Sequence, residues 1–141
     1  MSVALVDDQL LGDVLRGHTP RGLRRFELAT TGYWYVRLCQ AVLVATGRPG
    51  VLASPFAELP ESLRERSIAA LLDLPEDIEL VSLRDLAPDI GRLRSRHSLN
   101  ILGMEVLAAA IRLDADVVLS TSSPRLEAAL AAEGRSCRLT R

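Results

Sequence analysis

The sequence predicts an α/β fold, a three-layer α/β/α sandwich built on a mostly parallel sheet of about five strands. Short β-branched apolar runs alternate with longer segments of helical period, which implies a parallel sheet with helices on both faces. The short runs are apolar throughout rather than alternating, as expected for strands covered on both sides. Residues 100–133 hold a complete unit of the pattern: an alanine-rich helix, the strand Asp116-Val-Val-Leu-Ser120, a hydroxyl-rich turn and a second alanine-rich helix.

In chain order, residues 2–6 are an apolar strand closed by Asp7 and Asp8, and Gln9 to Leu15 has helical spacing. Two carboxylates at the end of a first buried strand stand where α/β folds place ligands. The alternative for either, and for Asp8 above all, is capping the helix that follows. Residues 17–22 are loop chemistry, 26–31 a second strand, and Gly32 the turn into an apolar helix from Tyr33 to Ala45. That helix carries Trp34, Leu38, Ala41 and Ala45 on one stripe. The Tyr33-Trp34-Tyr35 cluster serves as core or as a dimer face; exposed, it would stack on bases.

Arg48-Pro-Gly50 ends that helix, and Pro55 to Pro60 reads as loop. Residues 61–72 form an amphipathic helix and 78–82 a third strand. Leu83 to Arg94 is helical, with a break or bend expected near Pro88. Arg92, Arg94, Arg96 and His97 make a basic run, read as a solvated face or as phosphate contacts. Ile101, Met104, Leu107, Ala108 and Ile111 predict one apolar helical face. Ser122 ahead of Pro124 sets up the last helix, with Glu127 behind it. Residues 137–140 are a plausible edge strand.

At 141 residues the expectation is one domain, residues 1–141, long enough to bury a sizeable core. A formal charge of −1 exerts no global pull on nucleic acid or membrane. All 17 basic residues are arginine, either through coding bias or for guanidinium contacts to phosphate. Cys39 and Cys137 lack metal-ligand spacing and fit two buried thiols in a reducing compartment. No apolar run reaches the ~18 residues of a membrane helix, and no signal-peptide pattern opens the chain. The expected location is cytoplasmic, without membrane contact.

The Val3 to Leu15 segment, with Asp7 closing the first strand, resembles the start of a PIN domain. Leu107-Ala-Ala-Ala-Ile-Arg-Leu-Asp-Ala-Asp-Val-Val-Leu-Ser-Thr121 resembles the later half of that domain, as found in VapC-type toxins and their relatives. The resemblance covers about half of the chain and implies a single PIN-like domain. It also implies acidic residues at the carboxyl edge of the sheet, holding Mg²⁺ or Mn²⁺ for RNA cleavage. Of the acidic positions, Asp7 arrives intact. The second would open the helix after strand two, where Thr31-Gly-Tyr-Trp-Tyr-Val-Arg37 has no carboxylate. The third falls on Gly103; Glu105 lies two residues on, turned about 200° around a helix. The fourth falls on Thr121, flanked by Ser120 and Ser122.

Two functions from different classes follow. One is a metal-dependent ribonuclease of toxin or RNA-processing type. It would work through Asp7, Asp8, Glu105 and Thr121, with Asp7 and Glu105 on the metal and Arg92, Arg94, Arg96 and Ser122 on RNA. The other is a non-cleaving PIN-like module that binds RNA or a protein partner such as an antitoxin, or that forms a homodimer through the aromatic helix. A weaker option makes Ser120 to Ser123 an anion cradle at a helix N-terminus.

Overall fold

The computed structural model describes residues 2–44 and 49–140; Ala45, expected to close the second helix, and Arg48, expected just beyond it, lie outside that set. Five parallel strands form one sheet in the order β3-β2-β1-β4-β5: β1 (Val3–Val6), β2 (Glu27–Thr30), β3 (Ile78–Leu80), β4 (Asp116–Leu119) and β5 (Cys137–Leu139). The helices are α1 (Asp8–Leu15), α2 (Gly32–Leu43), α3 (Ser54–Ala57), α4 (Glu61–Leu72), α5 (Leu83–Leu93), α6 (Ile101–Leu113) and α7 (Pro124–Ala132). The predicted α/β class and the parallel sheet are both present.

Strand alternation divides the core into two. Leu5, Val117 and Leu119 point to the face covered by α5, α6 and α7. Ala4, Val6 and Val118 point to the opposite face, under α1, α3, α4 and most of α2. With side chains alternating at period two, apolar residues on both faces produce the unbroken apolar runs seen in the sequence. Trp34, in the first turn of α2, joins the first cluster, whereas Leu38 one turn later joins the second. Only 4% of Trp34 is exposed, so it belongs to the core and is closed to base stacking.

Four local expectations change. The loop expected from Pro55 to Pro60 begins as the short helix α3, because Pro55 fits a first turn and Phe56 is buried beneath it. α5 runs through Pro88 without a break. Pro88 and Arg84, whose carbonyl loses its i+4 donor there, are both exposed, so water can satisfy it. The apolar face of α6 is wider and shorter than expected. Gly103 through Ala110 are all buried, while Ile101 and Ile111 are exposed. α5, α7 and α2 all contact α6, and its run of three alanines lets backbones approach. α6 ends where Asp114 takes a left-handed φ of 50°, a conformation that a short polar side chain tolerates. Finally, α7 is not capped by a Ser122 hydroxyl. Its Glu127 carboxylate reaches back to the Ser123 N–H at 2.8 Å and accepts the Ser122 hydroxyl at 2.9 Å.

Both cysteines are free and half-buried. Burial pushes the Cys137 thiol up to about 11, with the Glu127 carboxylate adding to the shift. No helix among the described residues is long and apolar enough to cross a membrane.

Candidate switch-point cleft at the carboxyl edge of the sheet

The strand order fixes where a site can form. From β1 the chain steps to β2 and β3 on one side, then returns to β4 and β5 on the other. The topological switch point therefore lies between β1 and β4, where parallel α/β sheets open a crevice beyond their carboxyl ends. Asp7 follows β1 and Ser120 follows β4. A cleft of about 400 Å³ opens there, lined by Asp7, Asp8, Arg37 and Ser120 through Ser123 among others.

Asp7 is 6% exposed and committed on both oxygens. Oδ1 accepts the Leu10 N–H at 3.0 Å as the N-cap of α1. Oδ2 accepts the Ser120 N–H at 2.7 Å and the Ser120 hydroxyl at 2.6 Å. One carboxylate thus ties the end of β1 to the start of α1 and the end of β4. The cap is Asp7, not Asp8, because Asp7 is the residue still in extended conformation, with φ −77° and ψ 179°.

Asp8 differs. Its Oδ1 accepts the Gln9 N–H at 2.8 Å, but its Oδ2 is buried without a hydrogen-bond partner. Arg37 Nε lies 3.3 Å from Oδ2, inside ion-pair range yet not aligned to donate. Burial raises the Asp8 carboxyl from its ordinary value; the Arg37 guanidinium works against that and the Asp7 carboxylate adds to it.

A raised carboxyl means that the folded state holds this proton more tightly than the unfolded chain. Stability then falls as pH climbs from about 3.8 through the higher folded value, the charge being a net cost above both. Asp8→Asn is expected to match or exceed wild-type stability at neutral pH. Urea melts should show that advantage vanishing as pH drops below 3.8. A variant less stable than wild type at neutral pH would mean that the Asp8 charge is favourable.

Glu105 does not line the cleft. It is 0% exposed, and it reaches from α6 to the first turn of α2, where Oε2 accepts the Gly32 N–H at 3.2 Å and Oε1 the Tyr33 N–H at 2.9 Å. The segment without an acid of its own thus receives a carboxylate from another helix. At Gly103 any larger side chain would need the neighbouring Leu99 and Asn100 side chains to give by a few tenths of an ångström. An added Cβ would sit 3.1 Å from Leu99 Cβ and 3.2 Å from Asn100 Oδ1, the oxygen that caps α6.

Thr121 and Ser122 line the cleft and are exposed. The anion cradle at α7 is already filled by Glu127. The basic run lies elsewhere. Arg92 pairs with Asp89 at 2.8 Å, and Arg94 donates to the Leu99 carbonyl at 2.7 Å. Arg96 and His97 both meet Glu133, at 3.2 Å and 2.6 Å. Glu133 is the C-cap of α7, at the far end of that helix from Ser122 and Ser123. The hydrogen bonds from Arg96 and then His97 hold its carboxyl below the usual range. None of Arg92, Arg94 and Arg96 lines the cleft.

The residues named from sequence thus separate into a cleft group (Asp7, Asp8, Thr121, Ser122), a buried capping acid (Glu105) and a remote, locally paired basic group. Sequence reading missed Arg37; it placed Ser120 in the candidate Ser120 to Ser123 turn and beside the fourth acidic position, but not as the partner of Asp7. Both fall inside segments already singled out, but nothing in their spacing marks them as neighbours of Asp8 and Asp7. Among the described residues, no three His, Cys, Asp or Glu side chains gather to hold a metal ion. No known family model matches the chain. No curated protein matches its sequence significantly.

Proposed function

We propose that this chain is a non-cleaving PIN-like module that acts by binding at the switch-point cleft. The observation that carries this reading is the commitment of its two candidate metal acids. Asp7 accepts three hydrogen bonds from Leu10 and Ser120. Glu105 accepts two from the start of α2 and is fully buried. A hard divalent cation such as Mg²⁺ takes about six oxygen ligands in near-octahedral geometry, one or two of them usually carboxylates free to turn toward it. Among the described residues lining the cleft, Asp8 alone has a carboxylate oxygen without a hydrogen-bond partner, and that oxygen is buried.

The fold order 3-2-1-4-5 supports a PIN-like assignment, as does the aspartate closing β1. A protein partner fits the cleft better than RNA. The carboxylates of Asp7 and Asp8 repel phosphate, and the arginines named for RNA contact are paired away from it.

The rival reading, a ribonuclease using Mg²⁺ or Mn²⁺, draws support from Asp7 and Asp8 standing side by side at the cleft, where the Asp7 carboxylate adds to the rise of the Asp8 carboxyl. Calorimetry with both metals separates the two. The expected result is no saturable binding at millimolar metal, equally for wild type and Asp7→Asn. Saturable binding that Asp7→Asn removes would restore the nuclease and overturn the non-cleaving reading.

A further inference from the structure

We infer that the amino edge of the sheet, opposite the cleft, carries a nucleotide-binding crevice. A base bearing an exocyclic amino group enters the crevice, and its phosphates meet Arg21, Arg24 and Arg25. The inference does not depend on what the cleft binds.

Three observations converge. First, Arg21, Arg24 and Arg25 are exposed, and among the described residues none of them forms an ion pair. Arg92 and Arg96, by contrast, are each held by an acid. Arg21–Leu23 is a 3₁₀ turn, and the Arg24 N–H donates to the Arg21 carbonyl. Residues three apart in such a turn eclipse one another, so Arg21 and Arg24 stand on one face. Arg25 Cζ lies 5.9 Å from the centre of the Phe26 ring, and Arg138 Cζ lies 5.3 Å from it. A ring engages the flat face of a guanidinium and leaves the in-plane N–H donors to a ligand.

Second, a crevice of about 520 Å³ opens beside them, between the end of α1 and the starts of β2 and β3. Val14, Leu23, Phe26 and Ile78 give it apolar walls, and Arg24 also lines it. That volume suits a small ligand, and apolar walls suit the flat faces of a base. Third, Glu27 and Asp77 line the same crevice, and neither forms an ion pair among the described residues. A carboxylate accepts from the amino group of a base, as it does from cytosine N4.

The ligand class follows from this pairing of cationic donors with anionic acceptors around an apolar slot. Arginine forks match phosphate oxygens, and the two carboxylates match amino groups on the base. An acidic peptide would satisfy the arginines but set its carboxylates against Glu27 and Asp77. Inorganic phosphate would leave the apolar walls without a partner. The nucleotide is either free or part of a single strand, because a base paired in a duplex has no amino group to spare for this crevice.

The test follows backbone amide shifts by NMR in metal-free buffer. The probes are cytidine triphosphate, uridine triphosphate, inorganic tripolyphosphate, and an oligocytidylate and an oligoglutamate of about ten residues each. Saturable shifts in residues 21–28 and 77–78 are expected with cytidine triphosphate, which should bind at least about fivefold tighter than uridine triphosphate. Tighter binding of the oligocytidylate assigns the crevice to a single strand, and equal or weaker binding to a free nucleotide. Arg21→Gln combined with Arg24→Gln should weaken cytidine triphosphate at least about tenfold. Glu27→Ala combined with Asp77→Ala should erase the preference for cytosine and leave uridine triphosphate bound as well as before or better. All four side chains belong to exposed residues, so the fold tolerates these changes. Tripolyphosphate or oligoglutamate binding as tightly as cytidine triphosphate overturns the inference, as does equal binding of the two nucleotides. So does binding that the arginine variant leaves intact, or the absence of saturable shifts at this edge.

Discussion

Replacing Asp7 with alanine is expected to destabilise the fold by about 3 kcal/mol, a loss of roughly 10 °C in Tm. The estimate follows from what the side chain holds. As the N-cap of α1 it accepts the Leu10 N–H, and loss of such a cap costs about 0.5–2 kcal/mol. Its second oxygen accepts the Ser120 N–H and hydroxyl, hydrogen bonds to a charged group worth about 1.5–3 kcal/mol before the two overlap. Alanine leaves these donors facing one another across the gap between β1 and β4. Asp7→Asn should fall between, because one oxygen can still accept while the amide meets a donor. The sign matters as much as the size. In a cluster of metal-binding acids the carboxylates repel one another when no metal is bound. Removing one then leaves stability unchanged or raises it. A metal-free thermal melt therefore separates a structural Asp7 from a catalytic one without any substrate. An Asp7→Ala protein as stable as wild type would remove the main support for the non-cleaving reading.

How far the sequence could be read depends on how local the governing physics is. Val3 to Val6 and Asp116 to Leu119 are strands because short, valine-bearing runs with consecutive apolar residues fit positions covered on both faces, and that is visible residue by residue. The strand order was not read from the sequence; alternation and the resemblance carried by the Asp7 and Asp116 regions reached only as far as a mostly parallel sheet of about five strands. Local capping was harder. Asp7 and Asp8 offer the same chemistry, and which of them caps α1 depends on where the chain leaves extended geometry. The Ser122 hydroxyl and the Glu127 carboxylate compete for the start of α7, and the charged acceptor wins.

Long-range commitments were invisible. Ser120 and Asp7 are 113 positions apart, yet they share the tightest polar contacts of the cleft. Arg92, Arg94 and Arg96 looked like a phosphate surface because their neighbours in sequence are basic. In space their neighbours are Asp89, Glu133 and the Leu99 carbonyl. A charge run read without its tertiary partners overstates its own field.

Glu105 is the clearest case, and its removal should be the most damaging single change at this edge of the sheet. The start of α2 leaves N–H groups with no partner inside the helix, and around the buried Trp34 and Glu105 they are only partly open to water. Thr31 accepts the Trp34 N–H on its hydroxyl and the Tyr35 N–H on its carbonyl. Glu105 takes the remaining two, Gly32 and Tyr33. The carboxylate also gains from the positive end of the helix dipole. Glu105→Ala strips two part-buried donors of their acceptor and leaves a void where a fully buried side chain stood, and it should cost about 3 kcal/mol or more, a Tm loss of roughly 10 °C. Glu105→Gln keeps the volume but turns an amide N–H₂ toward a backbone N–H, so about half that cost is expected.

Gly32→Ala tests the same contact from the other side. Its Cβ would lie 3.1 Å from Glu105 Oε2, a carboxylate pinned by two hydrogen bonds and unable to retreat freely. The single variant should be destabilising by about 1 kcal/mol, and the penalty should shrink when Glu105 is already alanine. Thermal melts of the four proteins in this cycle give the coupling directly. Additive losses, or a stable Glu105→Ala protein, would mean that α2 is held by something other than this carboxylate and would free Glu105 for a metal.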